Sequence, residues 1–145
     1  MLSVHRWIAA AALFASTLPT GAADPGELLD PQDAFRLTVK GVDGHSAEVE
    51  FRIAPGYYLY RDRFHFETES GKTIADAVLP SGKVKQDAFF GRTETYRDHV
   101  RITVPLTSVD IGKKRVRLKV TSQGCADVGV CYIPQEQWVE VRLSR

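Results

Sequence analysis

Cys125 and Cys131 are the only cysteines of the chain and lie six positions apart in the run QGCADVGVCYIP. Two thiols this close can join as a disulfide, which serves either as a staple or as a two-electron switch. Spacing bears on the choice. Stabilisation by chain entropy grows with the loop closed, and the seven residues here are worth only about 2–2.5 kcal/mol. A bond this local is a modest staple but a convenient switch, and the switch is the leading reading. Thiol–disulfide exchange passes through a mixed disulfide, so one cysteine must meet the partner and the other must resolve the intermediate. Neither has a basic neighbour in sequence, and Asp127 between them would raise a thiol pKa. That pattern fits a carrier that accepts attack rather than a strongly activated nucleophile. The alternative is an exported β-sandwich binding module in which the disulfide is purely structural.

Other chemistries find less support. The C-x5-C spacing is not the C-x-x-C of a thioredoxin-fold active site, which would also need helices. His45, His65 and His99 are scattered, with no ligand spacing around the cysteines, so no metal and no cofactor are expected. Neither a Ser–His–Asp arrangement nor a phosphate-binding glycine loop stands out.

The elements that must position the cysteines have a period of two. Phe35, Leu37 and Val39 alternate with polar residues, Asp43-Gly44 marks a turn, and Ala47, Val49, Phe51 and Ile53 resume the alternation. This is a hairpin with one buried face. Val100 to Leu106, Val116 to Val120 and Val139 to Leu143 repeat it, and shorter strands are expected at 57–60, 64–68 and 74–79. Turn signals lie at Pro55-Gly56, Ser70-Gly71, Pro80-Ser81-Gly82 and Ile111-Gly112. No convincing helical period is present, although 31–35 could begin with a helical turn, and 24–32 read as a loose leader. Seven to nine short strands predict an all-β, immunoglobulin-like sandwich, without the widely spaced inter-sheet cysteine pair of antibody domains.

The cysteines would face each other across a hairpin, with strands leading in from Val116 and out toward Leu143. Gly124 and Gly129 give backbone freedom there, and Pro134 ends the ladder just beyond. Residues 84–98 break the alternation: the adjacent rings Phe89 and Phe90, followed by Gly91, do not suit a half-buried strand. A loop folding an aromatic back over the disulfide accounts for them, with Phe89 as the candidate lid. Entry of both rings into the core from a bent strand is the alternative.

The chain has 145 residues and a formal charge of +1. Residues 1–23 have the layout of a secretory signal peptide: one basic residue, the apolar run WIAAAALFASTL and a small-residue cleavage site. The run is too short to span a bilayer comfortably, which disfavours a membrane anchor. The remainder, 24–145, is enough for one domain. It carries 18 basic and 18 acidic side chains, which gives no reason to expect a nucleic-acid partner. Outside the cytoplasm the two thiols oxidise unless something reduces them.

With these residues in place, QGCADVGVCYIP resembles the active-site hairpin of the N-terminal periplasmic domain of the thiol:disulfide interchange protein family DsbD. PGYYLYRDRF at 55–64 and DAFFGRTETYRD at 87–98 agree in order and spacing, the latter resembling the family's cap-loop segment. The resemblance implies an immunoglobulin-like sandwich acting as a periplasmic protein-disulfide reductase, an electron-relay domain and a monomer. Its implied reductant is the thioredoxin-like C-terminal domain of the same protein, fed across the inner membrane from cytoplasmic thioredoxin. The implied acceptors are periplasmic disulfide isomerases and the thioredoxin-like protein of cytochrome c maturation. By position, Cys131 corresponds to the cysteine that forms mixed disulfides and Cys125 to its resolving mate. Phe89 matches the cap-loop aromatic, with Phe90 beside it. Asp87, Tyr57 and Tyr58 match positions near the site, and Tyr132, next to Cys131, is placed with them. Family proteins continue into a transmembrane domain, whereas this chain stops at Arg145. It is expected to be either free-standing, with a reductant supplied in trans, or one domain of a longer precursor.

Overall fold

The computed structural model describes residues 27–106 and 114–144; the 1–23 segment and the Ile111-Gly112 turn lie outside them. A single helical turn, α1 (Pro31–Ala34), opens on Pro31, whose fixed φ suits a first helical position. The alternating segments then pair as their pattern dictates. β1 (Phe35–Gly41) and β2 (Ser46–Ile53) form an antiparallel hairpin with Leu37 opposite Phe51 and Val39 opposite Val49. β7 (His99–Pro105) pairs with the other edge of β2. A second sheet has the order β11-β8-β4, from β4 (His65–Thr68), β8 (Arg115–Ser122) and β11 (Gln135–Arg142).

These sheets turn Val49, Phe51, Ile102, Val104, Phe66, Leu118, Val120 and Val141 into one shared core. Each such side chain contributes about 1.5–3 kcal/mol on leaving water. The all-β, sandwich-like architecture expected from the alternation is therefore the one found.

The third sheet carries the chemistry. Its order is β10-β9-β3-β6-β5, from β3 (Tyr57–Tyr60), β5 (Lys83–Asp87), β6 (Gly91–Tyr96), β9 (Gly124–Ala126) and β10 (Val130–Cys131). The ribbon β8–β11 runs straight on into β9–β10. At Gln123 the chain leaves the second sheet, and the pairing on either side fixes the change: Gln135 lies opposite Ser122, Gly124 opposite Leu59, and the Tyr60 amide donates to the Gln123 carbonyl. The division of the ribbon raises the count to eleven strands among the described residues, more than the seven to nine expected.

Two further expectations need correction. Residues 74–79 do not form a strand. They cross from one sheet to another: the Ile74 amide donates to the Phe66 carbonyl of β4, next to a Glu67–Thr73 bridge, and Val78 bridges Thr103 of β7, so they cannot run along either. Residues 84–98 are not a loop but the hairpin β5–β6, paired from Lys83–Thr95 to Asp87–Gly91. Only its tip, 88–90, is loop. The alternation is missing because β5 is an edge strand and exposes both faces along most of its length.

Candidate functional site

The cysteine hairpin is built by its turn. The Gly129 amide donates to the Ala126 carbonyl at 3.0 Å, and Gly129 adopts φ 89°, a left-handed conformation that favours glycine. Three residues, 127–129, thus connect the strands, a standard hairpin length. The register sets Cys131 directly opposite Cys125, the Cα atoms are 4.0 Å apart, and the disulfide is formed. Gly124 allows the hairpin to lie close on its neighbour: a Cβ there would collide with the Tyr58 carbonyl oxygen and stand 2.6 Å from the Phe35 ring. Cys125 is wholly buried, whereas Cys131 is only partly covered. The two sulfurs are therefore unequal in access.

β3 supplies what surrounds them. Successive strand residues point to opposite faces, so Tyr58 and Tyr60 share the face of the disulfide while Tyr57 and Leu59 enter the main core. The Tyr60 hydroxyl lies 3.1 Å from Cys125 Sγ and 3.8 Å from Cys131 Sγ. It is also 3.5 Å from the Tyr58 hydroxyl, which donates to Asp87 Oδ2 at 3.0 Å. Tyr60, absent from the residues singled out in the sequence, is the one whose hydroxyl reaches both sulfurs. Burial, then the neighbouring Tyr58 hydroxyl and Asp87, pushes its phenol far above the usual tyrosine range, so it stays protonated.

Tyr57 and Tyr132, by contrast, pair on the core face. Their rings stack at 6.3 Å, both meet Phe35 edge-on, and their hydroxyls hold the backbone of Leu29 from either side. The segment before α1 is thereby tied down at the described residues. The Tyr132 phenol is pushed up to about 12 by burial and by the neighbouring Tyr57 hydroxyl.

The β5–β6 tip meets the Tyr58–Tyr60 pair. Asp87 Oδ1 accepts the amides of Phe89 at 2.8 Å and Phe90 at 3.2 Å, an aspartate-stabilised turn that fixes both rings. Phe90 rests edge-on against Tyr60 at 4.8 Å, and the Arg63 guanidinium lies 4.1 Å from its centroid. Phe89 stands beside it, 58% exposed. Burial opposes ionisation of Asp87, but the Phe89 amide, the Tyr60 and Tyr58 hydroxyls and the Phe90 amide outweigh it and hold the carboxyl at about 2.

Two cations complete the surroundings. Lys85 Nζ is 3.4 Å from Asp87 Oδ2 and 3.6 Å from the Tyr58 ring centroid. Arg97 lies 5.2 Å from the same ring and grips Asp127 with both nitrogens, at 3.0 and 2.6 Å. The expected influence of Asp127 on the thiols is thus offset. The Arg97 hydrogen bond holds its carboxyl below the usual range, and its charge is paired. Among the described residues no group of His, Cys, Asp and Glu could hold a metal.

A β-sandwich that carries one disulfide on a short hairpin, with the tip of a second hairpin resting on the tyrosine beside it, defines a class of disulfide-bearing immunoglobulin-like domain. The pattern of one family, described as thiol:disulfide interchange protein DsbD, N-terminal, matches residues 26–143, and the chain belongs to that family. Thiol:disulfide interchange protein DsbD of Ralstonia nicotianae is 43% identical over 121 residues, covering 82% of this chain and 19% of that protein. DsbD 1 of Pseudomonas aeruginosa is 37% identical over 122 residues, covering 83% of this chain and 20% of that protein. The chain therefore spans about a fifth of the length of these curated relatives. Among solved structures, the reduced DsbD N-terminal domain of Neisseria meningitidis superposes with a TM-score of 0.73 at 30% identity, covering 85% of this chain and 96% of that one. The same domain in complex with the PilB N-terminal domain gives 0.65 at 31% identity, covering 79% and 87%.

Proposed function

We propose that this domain is a periplasmic protein-disulfide reductase unit that carries two electrons at a time between proteins through Cys125 and Cys131. The observation that carries the reading is the unequal sulfur pair: a partly covered Cys131 bonded to a wholly buried Cys125 whose sulfur meets a phenol at 3.1 Å. A thiolate of a reduced, thioredoxin-like donor attacks Cys131 Sγ. The Cys125–Cys131 bond breaks, a donor–Cys131 bond forms, and the electron pair leaves on Cys125 Sγ. The Tyr60 hydroxyl is placed to donate to that thiolate, since its single proton can turn from Tyr58 to sulfur. The donor's second thiolate then breaks the mixed disulfide, leaving the donor oxidised and this domain as a dithiol, with two protons drawn from the medium.

The reverse sequence reduces an acceptor. Cys131 attacks its disulfide, and Cys125 resolves the intermediate. The acceptors implied are periplasmic disulfide isomerases and the thioredoxin-like protein of cytochrome c maturation. The Neisseria counterpart solved in complex with PilB supports protein partners for this domain. Segment 1–23, read as a signal peptide, supports export to a compartment where such a reductant is needed.

A Cys125→Ser variant tests this. Mixed with an oxidised periplasmic disulfide isomerase, it should form a one-to-one covalent adduct through Cys131 that dithiothreitol releases, while Cys131→Ser forms none. Recovery of only unlinked protein would leave a local staple on an exported binding module.

A further inference from the structure

Lys85 belongs to neither the cysteine motif nor the tip of the β5–β6 hairpin, yet it ends the chain of polar contacts that begins at the sulfurs. The path runs from Cys125 Sγ to the Tyr60 hydroxyl at 3.1 Å, to the Tyr58 hydroxyl at 3.5 Å, to Asp87 Oδ2 at 3.0 Å, and to Lys85 Nζ at 3.4 Å. The same ammonium sits 3.6 Å from the Tyr58 ring centroid, so one side chain touches both the carboxylate and the phenol. Asp87 is buried, while Lys85 is half-buried and reaches it from outside.

The physical consequence lies in how the phenol protons are shared. A carboxylate only accepts, and each phenol has one proton to give. Tyr58 gives its proton to Asp87, which leaves the Tyr58 oxygen free to accept from Tyr60. A more negative Asp87 polarises Tyr58 further and makes its oxygen a better acceptor. The Tyr60 proton is then drawn away from sulfur just when a thiolate needs it. An uncompensated carboxylate would also disfavour a nearby thiolate directly, as like charges do.

We propose that Lys85 is a positioning residue for disulfide exchange, which by neutralising Asp87 and holding Tyr58 leaves the Tyr60 hydroxyl free to stabilise the thiolate formed at the sulfur pair. This rests on the exchange function proposed above. The other charged or titratable groups facing the path are few. Arg97, beyond β6, lies over Tyr58 but is committed to Asp127 in the cysteine turn, and Arg63 is over Phe90. Lys85 is therefore the cation in contact with Asp87.

The test is the pH profile for alkylation of the fully reduced domain by iodoacetamide, which reports the accessible Cys131 thiolate. Lys85→Met should move the midpoint upward by about one unit, a roughly tenfold loss of thiolate at a fixed pH below it. Lys85→Arg should restore the profile, and Lys83→Met, on the same strand, should leave it unchanged. Adding Asp87→Asn to Lys85→Met should cancel the shift, because the charge being compensated is gone; a merely structural lesion would not be repaired. An unchanged midpoint in Lys85→Met, or a shift that survives Asp87→Asn, overturns the inference. If the Cys125→Ser variant traps partners while Lys85→Met titrates as the parent, the exchange function stands and only the role of Lys85 falls.

Discussion

Cys125 and Cys131 were legible as a bonded pair because they are the only cysteines in the chain, and Asp87 was singled out through the stretch around the paired phenylalanines. Tyr60 was not. All four residues of the YYLY strand are buried, so exposure does not alternate and the sequence does not say which two tyrosines share the cysteine face. The phase comes from pairing: Tyr58 lies opposite Cys125, and Tyr60, two residues on, falls on the same side. Lys85 and Arg97 were illegible for a related reason, since a lysine or arginine in a strand gives no sign of the carboxylate it will meet across a sheet. Asp87 yields a prediction at this scale. Its folded carboxyl titrates at about 2, below the ordinary value of 3.8. The ionised form is therefore the one the fold favours, and its contribution is present above about pH 4 and lost as pH falls toward 2. Chemical denaturation across that window should show a loss of roughly 1–2 kcal/mol that is absent in Asp87→Asn; parallel curves for both proteins would contradict the assignment.

Strands with one dry face announced themselves, and strands without one did not. β1, β2, β7 and β8 alternate cleanly and form where the pattern puts them. The β5–β6 hairpin was hidden because β5 lies at a sheet edge and exposes Lys83, Val84 and Gln86 together. Residues 74–79 misled in the opposite direction: Ile74 is buried and Val78 makes a bridge, but two contacts on two sheets are not a strand. The tip of β5–β6 carries the shielding part of the account. Phe90 is seated on Tyr60, and Phe89 shares its aspartate-fixed turn. We expect Phe89→Ala and Phe90→Ala each to speed reduction of the disulfide by dithiothreitol several-fold, and the double variant to be faster than either. Rates equal to the parent in all three would show that the tip does not limit access to the sulfurs.

Across the molecule, the sandwich acts as a frame that projects one ribbon. β8 and β11 belong to the second sheet, their continuation β9–β10 belongs to the third, and the disulfide lies just past that change of sheet. The core residues of β8 and β11 thus anchor the base of the cysteine hairpin, and β3 supports its flank. The stretch before α1 joins this frame through the Tyr57 and Tyr132 hydroxyls, which a reading of 24–32 as a loose leader did not foresee. Such long-range ties, here across 103 positions, leave no local trace in sequence. The central claim is that the Cys125–Cys131 bond is exchanged rather than kept, and its reduction potential tests that most directly. Equilibrated with glutathione redox buffers, the couple should have a potential above about −300 mV, in the range of exchanging protein disulfides. A value below about −300 mV, with the bond resisting every reduced glutathione ratio offered, would mark it as structural and contradict the account.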